Sequence, residues 1–113
     1  MSRLFLIVPV LLTLAGCATA PVQLMPGAQS VRVDKADPPQ GYVTVGPISA
    51  VDGHGCGGFG RAGSYLNAIN QLRNEALTMG ADYVEIYSLI PPHSETGCFV
   101  DAYQIAGMAY KAP

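Results

Sequence analysis

An apolar run near the start of the chain limits what the remainder can fold into. Residues 3–17, RLFLIVPVLLTLAGC, combine one basic residue, an apolar stretch over residues 4–14 and small residues before Cys17. A mainly apolar run of eleven residues, with Pro9 inside it, is about half of the ~20 that a membrane-spanning helix needs. A basic head, a short apolar run and small residues before a cleavage site are typical of a secretory signal. We therefore predict that residues 1–16 are a signal peptide and that the fold is built from residues after it.

The last four residues of this run, LAGC at 14–17, resemble the lipobox of bacterial lipoproteins. The resemblance implies that the Cys17 thiol receives a diacylglycerol before cleavage. Ala18 stands where, by analogy with enteric lipoproteins, an aspartate would retain the protein in the inner membrane. We therefore expect an outer-membrane lipoprotein that faces the periplasm. The alternative is an ordinary secreted protein in which Cys17 is incidental.

Length and charge narrow the remaining classes. Residues 17–113 are enough for one domain with one modest core. They carry five Lys and Arg against eight Asp and Glu, so their net charge is negative. Nucleic-acid binding depends on neutralising phosphates with Lys and Arg, and no basic patch is available for it. No polybasic run reinforces the lipid anchor either.

The chain from residue 17 divides into a tether and a folded domain. Residues 17–30 contain two prolines and show no period of two or of 3.6, so we predict the lipidated cysteine followed by a flexible tether. The domain is predicted over 31–113. Apolar and polar residues alternate over 31–34, and a β-branched run comes next over 42–51, which favours two strands.

A helix and two further strands complete the predicted domain. Ser64 is a good N-cap, and apolar residues recur at helical spacing after it, so we predict a helix over 64–79, closed by Gly80. The apolar stripe comprises Leu66, Ile69, Leu72, Ala76 and Met79, and the polar face carries Asn67, Asn70, Gln71, Asn74 and Glu75. Strands are predicted over 81–90 and 98–110, with a loop over 91–97. The order β-β-α-β-β predicts an α+β fold: a largely antiparallel four-stranded sheet with one amphipathic helix on one face.

Two cysteines and two histidines form the main candidate site. Cys56 lies in a glycine-rich loop over 52–63, and Cys98 begins the last predicted strand. Two cysteines in an exported chain usually pair, so we predict a Cys56–Cys98 disulfide. The alternative is a zinc or soft copper site made of His54, Cys56, His93 and Cys98, because imidazoles and thiolates are the ligands such ions prefer.

Other chemistry has weak support. Residues 53–58, GHGCGG, formally fit a dinucleotide fingerprint. In that motif the helix opens directly from the glycines, whereas here it begins six residues later, so we expect no nucleotide and no cofactor other than the lipid on Cys17. The serines lack a recognisable nucleophile motif, and we expect no catalytic residues and no enzyme. Six tyrosines are expected in half-buried sheet positions, with an exposed aromatic face for a partner as the alternative.

Three short motifs carry a further resemblance: LRNEA at 72–76, GADYV at 80–84 and GC at 97–98. With the small residues of the final strand, they resemble an uncharacterised family of small outer-membrane lipoproteins. They are also similar to the sensor lipoprotein of the Rcs envelope-stress pathway. That resemblance implies an α+β domain in which Cys56 and Cys98 match one of two disulfides, while Leu89 and Gln104 stand about where the second pair would be.

These observations lead to one function hypothesis and one alternative. We expect a lipid-anchored, non-enzymatic envelope protein that acts through contacts with an envelope protein partner, in envelope maintenance or stress sensing. The alternative is a metal-binding lipoprotein that uses His54, Cys56, His93 and Cys98.

Overall fold

The computed structural model describes residues 21–56 and 60–113. Within these residues the elements are a 3-10 helix, one α-helix and six strands: Ala28–Ser30, β1 Arg32–Asp34, β2 Val43–Asp52, α1 Tyr65–Thr78, β3 Tyr83–Ile90, β4 His93–Glu95, β5 Cys98–Val100 and β6 Tyr103–Lys111.

Four of these strands build one sheet in the order β1-β3-β6-β2. The predicted α+β class with one α-helix is confirmed for the described residues. The sheet is mixed and not antiparallel throughout, because β1 pairs with β3 in parallel while β2 and β3 both pair with β6 in antiparallel fashion. The parallel pair arises because β2 and α1 intervene between β1 and β3, and such a long connection can return the chain in the same direction.

The predicted order of elements needs a second correction. Two short strands, β4 and β5, form a separate hairpin where a loop and the start of the last strand were predicted. The backbone of Asp101 explains why the long strand predicted over 98–110 is divided. Its N–H donates to the carbonyl of Gly55 and its carbonyl accepts from Gly63, so this part of the chain bonds to the glycine-rich loop and leaves the main sheet.

The helix packs on one face of the sheet, which we call the inner face. Ile69, Leu72 and Ala76 of α1 are buried there against Val84 and other inner-face residues. The N-cap is Ser64, as predicted, and its hydroxyl accepts from the N–H of Asn67 at 3.3 Å. After the C-cap, Gly80 has a φ of 77°, a left-handed conformation that favours glycine.

The predicted helix faces are only partly correct. Leu66 was placed on the buried stripe but is 61% exposed, whereas Asn67 was placed on the polar face but is only 6% exposed. The N–H of Val22 donates to Oδ1 of Asn67 at 3.0 Å, and the N–H of Met25 donates to Oδ1 of Asn74 at 2.8 Å. A second layer of chain therefore covers part of the face that was expected to meet water.

The same contacts revise the predicted tether. Residues 21–30 are described, and they run along the helix instead of standing free. Nδ2 of Asn74 donates to the carbonyl of Gln23 at 2.8 Å, and Ala28 in the 3-10 helix is fully buried. Ordering this segment costs conformational entropy, which the hydrogen bonds and the burial of Ala28 offset. The folded part of the chain therefore begins before residue 31.

Candidate functional site

The face of the main sheet opposite the helix, which we call the outer face, carries an open groove. The groove has a volume of about 290 Å³. Its lining residues come from β2, β3 and β6: Ser49, Ala50, Val51, Ser88, Ile90, Gln104, Ile105 and Ala106. The strand register explains the arrangement, because Ser49 and Ser88 both pair with Ala106 on the central strand β6. A small residue on β6 between two small residues on its neighbours leaves the space.

Tyr87 borders the open part of the outer face and is 64% exposed. The register of β3 against β6 shifts between Ile86 and Ser88, so Tyr87 is an additional residue in a β-bulge. Gly107 on β6 makes this bulge possible, because a Cβ there would collide with the carbonyl of Glu85. A second cavity, of about 340 Å³, is lined by Tyr87 and Ala106 among others, together with Glu75 of the helix.

The other half of the outer face is closed by tyrosines. Tyr83 is buried and packs edge-on against Tyr42, with ring centroids 6.2 Å apart. The Tyr110 ring lies 6.4 Å away, and the guanidinium of Arg32 lies over the Tyr83 ring at 5.6 Å. The hydroxyl of Tyr83 donates to the carbonyl of Ala36 at 2.6 Å. Burial, and next the charge of Asp34, raise the pKa of Tyr83 above its ordinary value. Desolvation and the nearby Glu85 likewise raise the pKa of Tyr110.

The lining of the open groove is mainly apolar and uncharged. None of its lining residues among the described part of the chain is a His, Asp, Glu, Lys or Arg. Within this lining Ser49 and Ser88 have no imidazole or carboxylate that could activate a hydroxyl as a nucleophile. Ser49 also borders the second cavity, which Glu75 lines. What the groove offers is apolar surface, from Val51 and Ile90, and the polar atoms of Gln104 and the two serines.

The structure brings together both cysteines of the predicted candidate site. The sulfur atoms of Cys56 and Cys98 lie at disulfide distance, with the Cα atoms 5.2 Å apart, a normal separation for a disulfide. Cys56 also forms a bridge with Val100, which in turn pairs with His93 in the β4–β5 hairpin. The pair thus fastens the glycine-rich loop to the hairpin.

The four predicted metal ligands do not assemble into a metal site. A disulfide uses both thiolates, and the ring nitrogens of His93 are already occupied. Nδ1 lies 2.9 Å from the carbonyl of Pro91 and Nε2 lies 2.8 Å from a carboxylate oxygen of Glu95. His54 contributes its backbone to a bridge with Arg61. In residues 21–56 and 60–113, no three His, Cys, Asp or Glu side chains cluster as metal ligands would.

Asp52 is a structural centre that the sequence prediction missed. It lies on the inner face at the end of β2 and is 2% exposed. Its carboxylate accepts from the N–H of Ser64 at 2.7 Å, from Nη2 of Arg61 at 3.4 Å and from Nε2 of Gln71 at 3.3 Å. It therefore connects the strand, the glycine-rich loop and the start of α1. An Asp placed in phase with the buried residues of β2 was the available signal.

The predicted lipidation residue, Cys17, and the predicted signal peptide lie outside the described residues. Within the described residues, no helix has the length and apolar character needed to cross a membrane. The lipid anchor and the signal peptide therefore stay predictions.

Comparison with known proteins identifies a family. Residues 22–111 match the family model described as Domain of unknown function (DUF4156). The chain belongs to the DUF4156 family. The matched DUF4156 region begins at the residue whose N–H bonds to Asn67, which agrees with a folded domain that includes the segment before β1. Comparisons with curated proteins and with solved structures found no match.

Proposed function

We propose that this protein is a lipid-anchored, non-enzymatic component of the bacterial envelope that acts by binding another envelope protein through its outer sheet face. The observation that carries the proposal is the open, partly apolar half of that face. Tyr87, Val51 and Ile90 are exposed around a small floor at Ala106. Exposed apolar surface of this kind is typical of sites of protein contact.

The lipid anchor is supported by the sequence at residues 14–17, and a role in envelope maintenance or stress sensing by the resemblance to the sensor lipoprotein. The placement of Cys56 and Cys98 is compatible with that resemblance. Two observations favour contact over chemistry: the groove lacks an acid-base group among its lining residues, and the thiols of the predicted metal set lie at disulfide distance.

The proposal is tested by site-specific photocrosslinking in living cells. A photoreactive phenylalanine analogue at Tyr87 should give a discrete protein adduct, while the same probe at Thr78, which is exposed at the end of α1, should not. Ala106→Arg places a long charged side chain on the floor of the groove and should abolish the Tyr87 adduct.

A matched substitution controls for the added charge. Ala36→Arg introduces the same side chain at an exposed position outside the groove and should leave the adduct intact. An adduct that survives Ala106→Arg, or that forms equally from Thr78, would mean that the groove is not the contact surface. Measuring the amount of each variant in the membrane fraction separates lost binding from lost protein.

A further inference from the structure

We call α1 and residues 21–30, which run along it, the helix layer. The chain that leads back to Cys17 leaves the domain from this layer. Asn67 and Asn74 lie two turns apart on α1, and each accepts a hydrogen bond from the segment before β1. Asn67 lies two positions before Ile69, and Asn74 lies two positions after Leu72. Residues two positions apart on an α-helix point about 200° apart around its axis. Because Ile69 and Leu72 face the sheet, Asn67 and Asn74 face away from it, and so does the segment that they bind.

The reach of the chain between the anchor and the domain is short. Four residues lie between Cys17 and Val22, so the chain takes five Cα-to-Cα steps to reach the residue whose N–H donates to Asn67. Even a fully extended chain spans at most ~3.3–3.6 Å per residue, so roughly 17 Å is the upper limit. A lipid embedded at Cys17 therefore keeps the helix layer close to the headgroups.

The helix layer also exposes the side chains that a bilayer surface would accept. Three apolar side chains of this layer are exposed: Leu24 and Met25 in the segment before β1, and Leu66 in the first turn of α1. Electrostatic attraction to lipid headgroups is not the basis of this contact. The one basic side chain of α1, Arg73, already donates to Oδ1 of Asn70 at 3.1 Å and to the carbonyl of Val31 at 3.4 Å. Apolar contact together with the short linkage favours a lipid surface.

We propose that the helix layer, at Leu24, Met25 and Leu66, lies against the lipid surface that holds the acyl chains of Cys17. The outer sheet face then points away from the membrane, where a partner can reach it. This inference rests on the proposed lipid anchor and adds the orientation of the domain to it.

The orientation can be measured with single tryptophans, because the chain contains none. Leu66→Trp reports on the helix layer and Tyr87→Trp on the outer sheet face, and the two native side chains are similarly exposed, at 61% and 64%. The lipidated full-length mature protein is reconstituted into vesicles of phosphatidylethanolamine and phosphatidylglycerol, with or without bromine on the acyl chains. Brominated lipid should lower the fluorescence of Leu66→Trp at least twofold and leave that of Tyr87→Trp unchanged.

A second reporter and a flotation assay make the result decisive. Leu24→Trp should be quenched like Leu66→Trp. Equal quenching at both layers, or stronger quenching at Tyr87→Trp, would overturn the orientation even when the protein floats with the vesicles. If the protein floats no better than Cys17→Ser, the lipid anchor itself fails, and the orientation argument falls with it.

Discussion

The inner and outer faces of the main sheet use alternate residues of the same strands, yet they meet different surroundings. On β3, Val84 faces the helix and is fully buried, while Tyr87 and Ile90 are exposed. On β2, Ile48 and Ala50 are buried inside, while Val51 is 56% exposed outside. One helix covers only one face of the sheet, so the apolar residues of the other face stay exposed. A partner protein that binds there would bury this apolar surface.

The outer face is itself divided, and the division shows how the chain limits its exposure. At one end, tyrosines and the loop after β1 cover the strands, with Tyr83 bonded to Ala36 and packed edge-on against Tyr42. At the other end, small residues around Ala106 leave the groove open. The chain thus covers one half from within and leaves the other half available.

The largest expected difference between buried and exposed positions is on the helix. Leu72 is fully buried against the sheet, and Leu66, of the same type and on the same helix, is 61% exposed. Leu72→Ala should lower the free energy of unfolding by about 2–5 kcal/mol, because it removes buried methyl groups and leaves a cavity. Leu66→Ala should change it by no more than about 0.5 kcal/mol. Urea unfolding of both oxidised variants measures this, and similar losses would mean that the helix is rotated.

Local chemistry made the helix and most strands predictable. The Ser64 cap, the period of the buried residues and the glycine at 80 act within a few residues of one another, and each was in the sequence. The strands predicted over 81–90 and 98–110 likewise contain β3, Tyr83–Ile90, and all but the last residue of β6, Tyr103–Lys111.

The features that sequence reasoning missed depend on distant parts of the chain. Asn67 is buried because Val22, 45 residues earlier, bonds to it. The last strand is interrupted at Asp101 because the glycine-rich loop binds its backbone. The open groove depends on the pairing of Ser49 and Ser88 with Ala106, and so on a register that no single segment encodes. The residues that lie opposite one another on neighbouring strands could be predicted only with the order and register of the strands known.

A smaller difference is expected between the two faces of the sheet itself. Val84→Thr places a hydroxyl at a fully buried inner position, where a polar group without a partner costs about 1–3 kcal/mol. Val51→Thr makes the same change on the outer face, where water can reach the hydroxyl, and should stay within about 0.5 kcal/mol. Both residues remain β-branched, so strand propensity is preserved. Equal urea midpoints for the two variants would show that the outer face is covered within the protein.

The smallest effect at neutral pH is expected in the closed half of the outer face, at Tyr83. Tyr83→Phe removes the hydrogen bond to the carbonyl of Ala36 and should cost about 1 kcal/mol at pH 7. Tyr87→Phe serves as the control, since this exposed side chain on the same strand should change stability by less than about 0.5 kcal/mol.

The pH dependence of the same variant distinguishes a buried hydroxyl from an accessible one. The folded-state pKa of Tyr83 is raised above the unfolded value of 10.0, chiefly by burial. Below that value the tyrosine keeps its proton in both states, so its contribution to stability is fully present. As the pH rises from about 10 through the folded-state pKa, the unfolded chain loses the proton first and stability falls. Between pH 9 and pH 11, Tyr83→Phe should therefore lose less stability than the wild type, as measured by urea midpoints. Some alkaline loss of stability should remain in the variant, because the pKa of Tyr110 is also raised. An identical alkaline decline in both proteins would mean that the Tyr83 hydroxyl is open to water, and the outer face would then be bare at both ends.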